Sequence, residues 1–106
     1  MREPTFLILT ALAGQTRHGY GILQEIAALS AGRVTLLPGT LYTALDRLAA
    51  QGLVARDREE VADGRLRRYY RLTSAGLTVL DAETARLREL ATVAETKLRA
   101  LRPHTA

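Results

Sequence analysis

Apolar and polar residues alternate along the chain with two different periods, and the change of period separates helical from strand-like segments. Leu41, Leu45 and Leu48 recur every three to four residues, which places them on one face of a helix. Pro38 suits the first turn of that helix because its missing N–H would be unpaired there anyway. Gly52 suits the end, since glycine adopts left-handed dihedral angles at little cost. The pattern predicts an amphipathic helix, the third in the chain.

Two strand-like segments follow this helix, Leu53–Val61 and Leu66–Leu72. The dipeptide Asp63-Gly64 between them is a strong signal for a tight hairpin turn. Tyr69 and Tyr70 should point to opposite faces of the second strand, so that one of them is buried. A helix that is buried on one side and leads into an arginine-rich hairpin is the order of elements typical of a winged helix-turn-helix. This order points to DNA as the partner.

Two further helices are predicted before the third, over Pro4–Ala13 and Tyr20–Ala31, with the segment Gln15–Gly19 as a loop between them. Short connections favour compact packing of the three helices. The side chains expected to face the core are Phe6, Leu7, Leu9 and Leu12 in the first helix and Ile22, Leu23, Ile26 and Leu29 in the second.

A fourth, long helix is predicted from a cap at Thr73-Ser74 to about Arg102. It carries an a/d heptad seam with one polar member, which is typical of a helix that pairs with another helix. One small domain cannot cover such a seam, so a homodimer is predicted; the alternative is that the helix packs only on its own first helix. The predicted interface residues are Leu77, Leu80, Thr84, Leu87, Ala91, Ala94, Leu98 and Leu101.

The expected fold class is therefore mainly α (α+β). A winged helix-turn-helix DNA-binding domain should occupy residues 1–73, followed by a C-terminal dimerisation helix over 74–102 in the same compact unit. Residues 103–106 should form a frayed tail, in which His104 has no expected role.

Charge and composition narrow the function. The net charge of +4 mildly favours a polyanionic partner. Lys97 is the only lysine among the 15 basic residues. The arginines suit phosphate and guanine recognition, but a bias towards arginine also fits a GC-rich genome. The absence of cysteine excludes disulfides, thiolate zinc sites and cysteine nucleophiles, and it fits a cytoplasmic protein. No run approaches the ~20 apolar residues of a membrane span. No catalytic, phosphate-loop or metal-ligand motif is present, so neither an enzyme nor a cofactor is predicted.

Five residues of the third helix are candidates for DNA contact, because they lie on or beside the face opposite the leucine stripe: Gly39, Thr40, Tyr42, Thr43 and Arg47. The alternative is an ordinary solvated face. The Tyr42 hydroxyl could donate to a phosphate, or the ring could close the edge of the core.

A second set of candidates surrounds the hairpin. Arg65, Arg67 and Arg68 crowd its tip, with Arg65 best placed for the backbone or the minor groove, whereas Arg67 could instead pair with Glu59 or Glu60 across the hairpin. Arg17 and His18 precede the second helix, whose positive end can hold a phosphate. His18 could equally form a local hydrogen bond in its loop.

Four segments in order along the chain form a recognisable set: His18-Gly19-Tyr20, Pro38-Gly39-Thr40-Leu41-Tyr42, Leu45-x-x-Leu48 with Gly52-Leu53-Val54, and Arg68-Tyr69-Tyr70-Arg71-Leu72-Thr73-x-x-Gly76. Together they resemble the PadR family of transcriptional regulators over about residues 5–80. The resemblance implies a homodimeric DNA-binding repressor that responds to stress or to a small effector.

Two departures from the family pattern are Leu37, where a serine-like helix cap is common, and the absence of tryptophan, which weakens any carry-over of drug stacking. The sequence separately allows a cavity between the fourth helices and the first helix, lined by leucine, alanine and Phe6, which could hold a small hydrophobic effector.

A function from another class is a winged-helix module that binds proteins and has lost DNA binding. Such a module should carry acidic or apolar residues on the hairpin and on the third helix. The arginines at positions 65, 67 and 68 argue against it, and salt-dependent binding to duplex DNA would distinguish the two.

Overall fold

The computed structural model describes residues 1–102, and the tail with His104 lies outside them. Three helices precede a β-hairpin and a long final helix, and the sheet is antiparallel with strand order β1-β3-β2. This is the α+β winged helix-turn-helix expected from the sequence, with the hairpin of β2 and β3 as its wing. The elements are α1 (Glu3–Ala11), β1 (Arg17–His18), α2 (Gly19–Leu29), α3 (Pro38–Ala50), β2 (Val54–Ala62), β3 (Arg65–Leu72) and α4 (Ser74–Leu101).

The third strand of the sheet was not predicted. Arg17 pairs with Tyr70 and His18 with Tyr69, within the segment interpreted as a loop. Two residues are too short to show the alternation by which a strand is recognised. The wing turn agrees with the sequence, since Asp63 and Gly64 both have positive φ, at 53° and 73°, as a type I′ hairpin turn requires.

The core forms where the three short helices meet β3. Tyr70 is its largest fully buried side chain, and Tyr69 on the opposite face of the strand is half-buried, as predicted. The predicted core face of α1 was partly wrong. Leu9 and Leu12 are buried as predicted, but Phe6 and Leu7 are only half-buried, and Ile8, which was not predicted, is fully buried in the core. Nearly every residue of α1 is apolar, so periodicity alone could not select its buried face.

The prediction that Leu29 faces the core was also wrong, since its side chain is 47% exposed at the last turn of α2. The helix ends there, earlier than predicted, because the chain reverses through Ala31 and Gly32, which have positive φ of 53° and 79°. The side chain lies instead beside a surface cleft between α1 and α4.

The junction between the wing and α4 is fixed by hydrogen bonds. Thr73 caps α4 as predicted, since its hydroxyl accepts from the Gly76 N–H at 3.0 Å and also donates to the Gly52 carbonyl at 2.6 Å. The backbone of Gly76 packs so closely on Leu53 that a Cβ would overlap with the Leu53 carbonyl oxygen. These contacts fix the start of α4 against Gly52 and Leu53, which connect α3 to the wing.

Only the first turns of α4 pack on the domain. Leu80 is 8% exposed and belongs to the core of its own chain, and Glu83 is buried beside it. Beyond this point the apolar seam leaves the domain, with Leu87, Leu98 and Leu101 exposed.

Glu83 should make the stability of the domain depend on pH. Its two carboxylate oxygens accept from Arg86 at 2.6 and 2.8 Å, and these bonds lower the pKa of Glu83 to about 2. A carboxyl with a depressed folded-state pKa stabilises the fold above its ordinary pKa of 4.5, and the stabilisation is lost as the pH falls to about 2. Glu83→Gln should therefore lower the melting temperature at pH 7, and the difference from wild type should close towards pH 2.

Glu89→Gln is the matched control, because Glu89 is exposed on the same helix. It should leave the melting temperature unchanged at both pH values. A constant gap between Glu83→Gln and wild type across the pH range would contradict the role assigned to this carboxylate.

Candidate nucleic-acid interface

The wing, the start of α2 and one side chain of α3 enclose a cleft of about 320 Å³. We call it the wing cleft. It combines three guanidinium groups, one imidazole and two phenol hydroxyls, which are groups that bind phosphate oxygens. Its lining residues are His18, Gly19, Tyr20, Tyr42, Arg65, Leu66, Arg67 and Arg68.

Strand pairing brings these distant residues together. The pairing of β1 with β3 sets His18 opposite Tyr69, next to the arginines of the wing. Gly19 then allows α3 to approach, because a Cβ at this position would overlap with the hydroxyl of Tyr42. Glycine at position 19 is therefore what lets Tyr42 reach across the start of α2 into the wing cleft.

His18 is held at the base of the wing cleft. Its Nδ1 accepts a hydrogen bond from the Gly21 N–H at 3.1 Å, so the side chain caps α2. The ring lies parallel to Tyr20, with centroids 6.5 Å apart, and meets Tyr69 edge-on at 5.3 Å. Burial and the nearby Arg67 guanidinium lower the pKa of His18, which favours the neutral imidazole, and the hydrogen bond from Gly21 likewise requires an unprotonated Nδ1.

The ion pairs of the wing arginines are weak. Arg68 pairs with Glu59 at 3.3 Å, and the half-buried Arg67 pairs with the exposed Asp63 at 3.9 Å and lies 3.4 Å from His18 Nε2. Arg65, at the tip, has no carboxylate within 4 Å among residues 1–102. Exposed pairs of this kind contribute little stability, so a phosphate can replace them at little cost.

The alternative that Arg67 pairs with Glu59 or Glu60 is not what the structure shows, since Arg67 pairs with Asp63 and Glu59 pairs with Arg68. Glu60 instead accepts from Arg58 on its own strand at 2.7 Å. That interaction is favoured because the guanidinium of Arg58 also lies 4.0 Å over the ring of Tyr69. Arg67 is left facing the wing cleft.

Arg17 lies outside the wing cleft. Its Nε donates to the carbonyl of Ala11 at 2.8 Å, and its guanidinium pairs with Glu25 at 3.0 Å. These contacts join α1, β1 and α2, so the side chain is engaged within the domain.

Tyr20 is a contributor that the sequence reasoning did not select. The ring is 65% exposed and lines the wing cleft beside His18. The signal available in the sequence was an aromatic residue two positions after the candidate His18, but Tyr20 entered the sequence analysis only as part of the His18-Gly19-Tyr20 motif.

The other α3 candidates lie around a separate cleft of about 640 Å³ between α3 and the start of α1. Thr40 and Thr43 are exposed there, and Arg47 donates to the Thr5 hydroxyl at 3.3 Å. Gly39 lies at the uncapped start of α3, where Leu37 supplies no side-chain hydrogen bond, as expected. The predicted α3 set is thus divided, with Tyr42 facing the wing and the others facing α1.

A third cleft of about 360 Å³ lies between α1, the end of α2 and α4. Phe6, Leu7, Leu29 and Leu87 supply its apolar lining. Within residues 1–102 there is no cluster of groups that could hold a metal ion, and no described helix is long and apolar enough to cross a membrane.

Comparison with known proteins agrees with this architecture. The chain matches the model of the Transcriptional regulator PadR-like family over residues 8–82. It is 43% identical to the Transcriptional regulator Rv3488 of Mycobacterium tuberculosis over 84 residues, which are 79% of this chain and 75% of that protein.

Solved structures share the fold. A PadR family transcription regulator from Clostridium difficile R20291 superimposes with a TM-score of 0.74 at 26% identity, covering 89% of this chain and 96% of that one. Bacillus subtilis PadR, solved in complex with operator DNA, gives a TM-score of 0.69 at 20% identity, covering 78% of this chain and 47% of that one. The family match and the curated relative confirm the resemblance found in the sequence motifs: the chain belongs to the PadR-like family of transcriptional regulators.

Proposed function

We propose that the protein is a homodimeric repressor of PadR type that acts in the cytoplasm and binds a pseudo-palindromic operator. The observation that carries the proposal is the wing cleft, where cationic and hydroxyl groups from β1, α2, α3 and β3 converge. Such groups bind the phosphate backbone, which supplies most of the affinity in DNA recognition. The operator DNA bound to Bacillus subtilis PadR supports the same use of this fold.

Sequence choice would come from α3. Thr40, Thr43 and Arg47 are exposed on the side opposite the core, where the start of the helix can enter the major groove. An arginine there can bind O6 and N7 of guanine at once. Tyr42, on the flank that faces the wing, would donate its hydroxyl to a phosphate.

Arg17 would act indirectly. Its contacts to Ala11 and Glu25 fix the position of β1, and hence of His18. We propose that it orients the wing cleft without touching DNA.

Dimerisation would use the exposed part of the α4 seam. A second copy is the natural cover for the apolar side chains beyond Leu80, and it would set two α3 helices about 34–36 Å apart on successive major grooves. The cleft between α1 and α4 adjoins this seam at Leu87 and could hold a small hydrophobic effector, which would release the operator by changing that spacing.

The test of the proposed function is a titration of the purified protein against random and selected duplexes at several salt concentrations. Sequencing the selected fragments would give the operator. Tight binding with a steep salt dependence is expected; failure to bind any duplex would favour the winged-helix module that binds proteins instead.

The wing arginines should supply affinity that does not depend on sequence. Arg65→Ala or Arg68→Ala should weaken binding to operator and scrambled DNA alike. Each should also reduce the slope of log affinity against log salt by up to about one unit for every phosphate that the variant no longer neutralises. Arg99→Ala on distal α4 removes the same charge and should change neither quantity. If the variants lost affinity only for the operator, the wing would contact specific bases and the predicted role would be wrong.

Arg47 should affect DNA affinity much more than stability. Arg47→Ala removes an exposed side chain, so the free energy of unfolding should change by less than ~0.5 kcal/mol. Operator binding should weaken by about 1–3 kcal/mol, with relaxed preference at one base pair, if the guanidinium binds guanine. Binding titrations and thermal melts measure both quantities.

Thr5→Val provides the control for Arg47, because it removes the hydroxyl to which Arg47 donates and keeps the guanidinium. It should bind the operator like wild type. Equal losses of affinity for the two variants would mean that Arg47 acts by fixing α1, and unchanged operator binding by Arg47→Ala would remove it from the interface.

Charged residues in the seam should abolish the dimer. Leu87→Glu with Leu98→Glu places two carboxylates in the apolar interface, so light scattering should give the mass of a monomer. Thr92→Glu with Thr96→Glu adds the same charge off the seam and should leave the dimer intact. A dimer that persists in the leucine variant would disprove this interface.

A further inference from the structure

We propose that the wing cleft contains a seat for one DNA phosphate, formed by His18 Nε2–H and the guanidinium of Arg67, with His18 acting as a neutral donor. The proposal rests on the proposed DNA-binding function and assigns a specific site within it. It predicts that His18 and Arg67 bind the same phosphate as a pair.

The argument begins with the two ring nitrogens of His18, because each of them faces an N–H donor. The Gly21 N–H lies 3.1 Å from Nδ1, and Arg67 NH1 lies 3.4 Å from Nε2. A neutral imidazole has one acceptor nitrogen and one N–H, so it can accept from only one of these donors.

The backbone donor determines which nitrogen accepts. Gly21 lies in the first turn of α2, so its N–H has no partner within the helix and cannot rotate away. The hydrogen bond to Nδ1 is also the shorter of the two. The long Arg67 side chain, by contrast, can reorient. Nδ1 therefore accepts, and the proton of the neutral ring lies on Nε2.

It follows that His18 Nε2 and Arg67 NH1 are both donor nitrogens and lie only 3.4 Å apart. A single acceptor oxygen placed beside them would accept from both. A non-bridging phosphate oxygen suits this position well, since its charge also strengthens the bond from Arg67. Tyr42 and Arg65 line the same cleft and add a hydroxyl and a positive charge to its surface.

The surroundings of His18 favour an anion and keep the ring neutral. From β3 it is faced by Arg67 and Tyr69, from α2 by Tyr20, and from α3 by Tyr42 across Gly19. Of the nearby acidic groups, Glu60 pairs with Arg58 and Glu25 with Arg17, while the exposed Asp63 lies 3.9 Å from Arg67 and would be displaced by the phosphate. Burial and Arg67 lower the pKa of His18, which favours the neutral ring, and a neutral imidazole still carries one N–H that can donate.

The first experiment observes the tautomer directly. Nitrogen-15 NMR of histidine-labelled protein at about pH 7.5 should show His18 with its proton on Nε2. The sequence holds two histidines, and His104→Gln assigns the second signal. A proton on Nδ1 would overturn the proposal, because Nε2 would then accept from Arg67 and no donor pair would exist.

The second experiment tests whether the two side chains share one phosphate. His18→Asn keeps an N-cap acceptor but is too short to reach the seat, so its melting temperature should stay close to that of wild type. His18→Asn and Arg67→Gln should each weaken binding to any duplex by about tenfold, the cost of losing one hydrogen bond to a charged group. The double variant should be weakened by clearly less than the product of the two factors.

Arg71→Gln is the matched control, because it removes the same charge from the far end of β3, where Arg71 faces Asp57. It should bind DNA nearly as well as wild type and should show no coupling to His18→Asn. Multiplicative effects of His18→Asn and Arg67→Gln would overturn the shared seat, as would wild-type affinity of His18→Asn; either result leaves the proposed function standing.

Inorganic phosphate separates failure of the seat from failure of the proposed function. If wild type binds no duplex, the proposed function fails, and the seat is tested by titrating phosphate into the labelled protein. A saturable shift of the His18 Nε2 signal that disappears in Arg67→Gln would support the seat. The absence of any shift would overturn it.

Discussion

The pairing of β1 with β3 is the interaction on which the functional surface depends. It is only two residues long, yet it joins the start of α2 to the wing and sets His18 between them. Arg17 anchors this strand to α1 and α2, and Gly19 next to it leaves room for Tyr42 of α3. A wing held by its turn alone would be a mobile two-stranded ribbon. With β1 in place, groups far apart in sequence form one cationic cleft.

The long final helix α4 packs on the domain at its start and exposes an apolar seam beyond it. Three short helices and a small sheet bury a limited core, and α4 adds Leu80 to it, with Val79 packed against the same cluster. The hydrogen bonds of Thr73 and the close approach of Gly76 to Leu53 fix the direction in which the helix leaves. The rest of the apolar seam of α4 is exposed, with Leu98 at 51%. The contacts that fix the start of α4 therefore also direct this seam away from the domain.

The sequence predicted the elements well and the side-chain contacts less well. The leucine stripe of α3, the Asp63-Gly64 turn and the Thr73 cap are local signals, and the structure contains all three. The strand β1 could not be predicted because its partner is about fifty residues away and its length hides any period. The same non-local pairing brings His18 to within 3.4 Å of Arg67. The different clefts lined by Tyr42 and Arg47 likewise depend on how the wing and α1 pack around α3, which the sequence pattern of α3 does not reveal.

The central claim is that the wing cleft and the start of α3 form one DNA-binding surface. Amide hydrogen exchange, measured on the free protein and on its complex with selected duplex DNA, tests this directly because it reports the DNA-bound backbone without any substitution. The account predicts slower exchange at residues 18–21, at 38–43 and across the wing turn at 62–68, with distal α4 unchanged. Slower exchange confined to α4, or absent from the wing while DNA is bound, would contradict it.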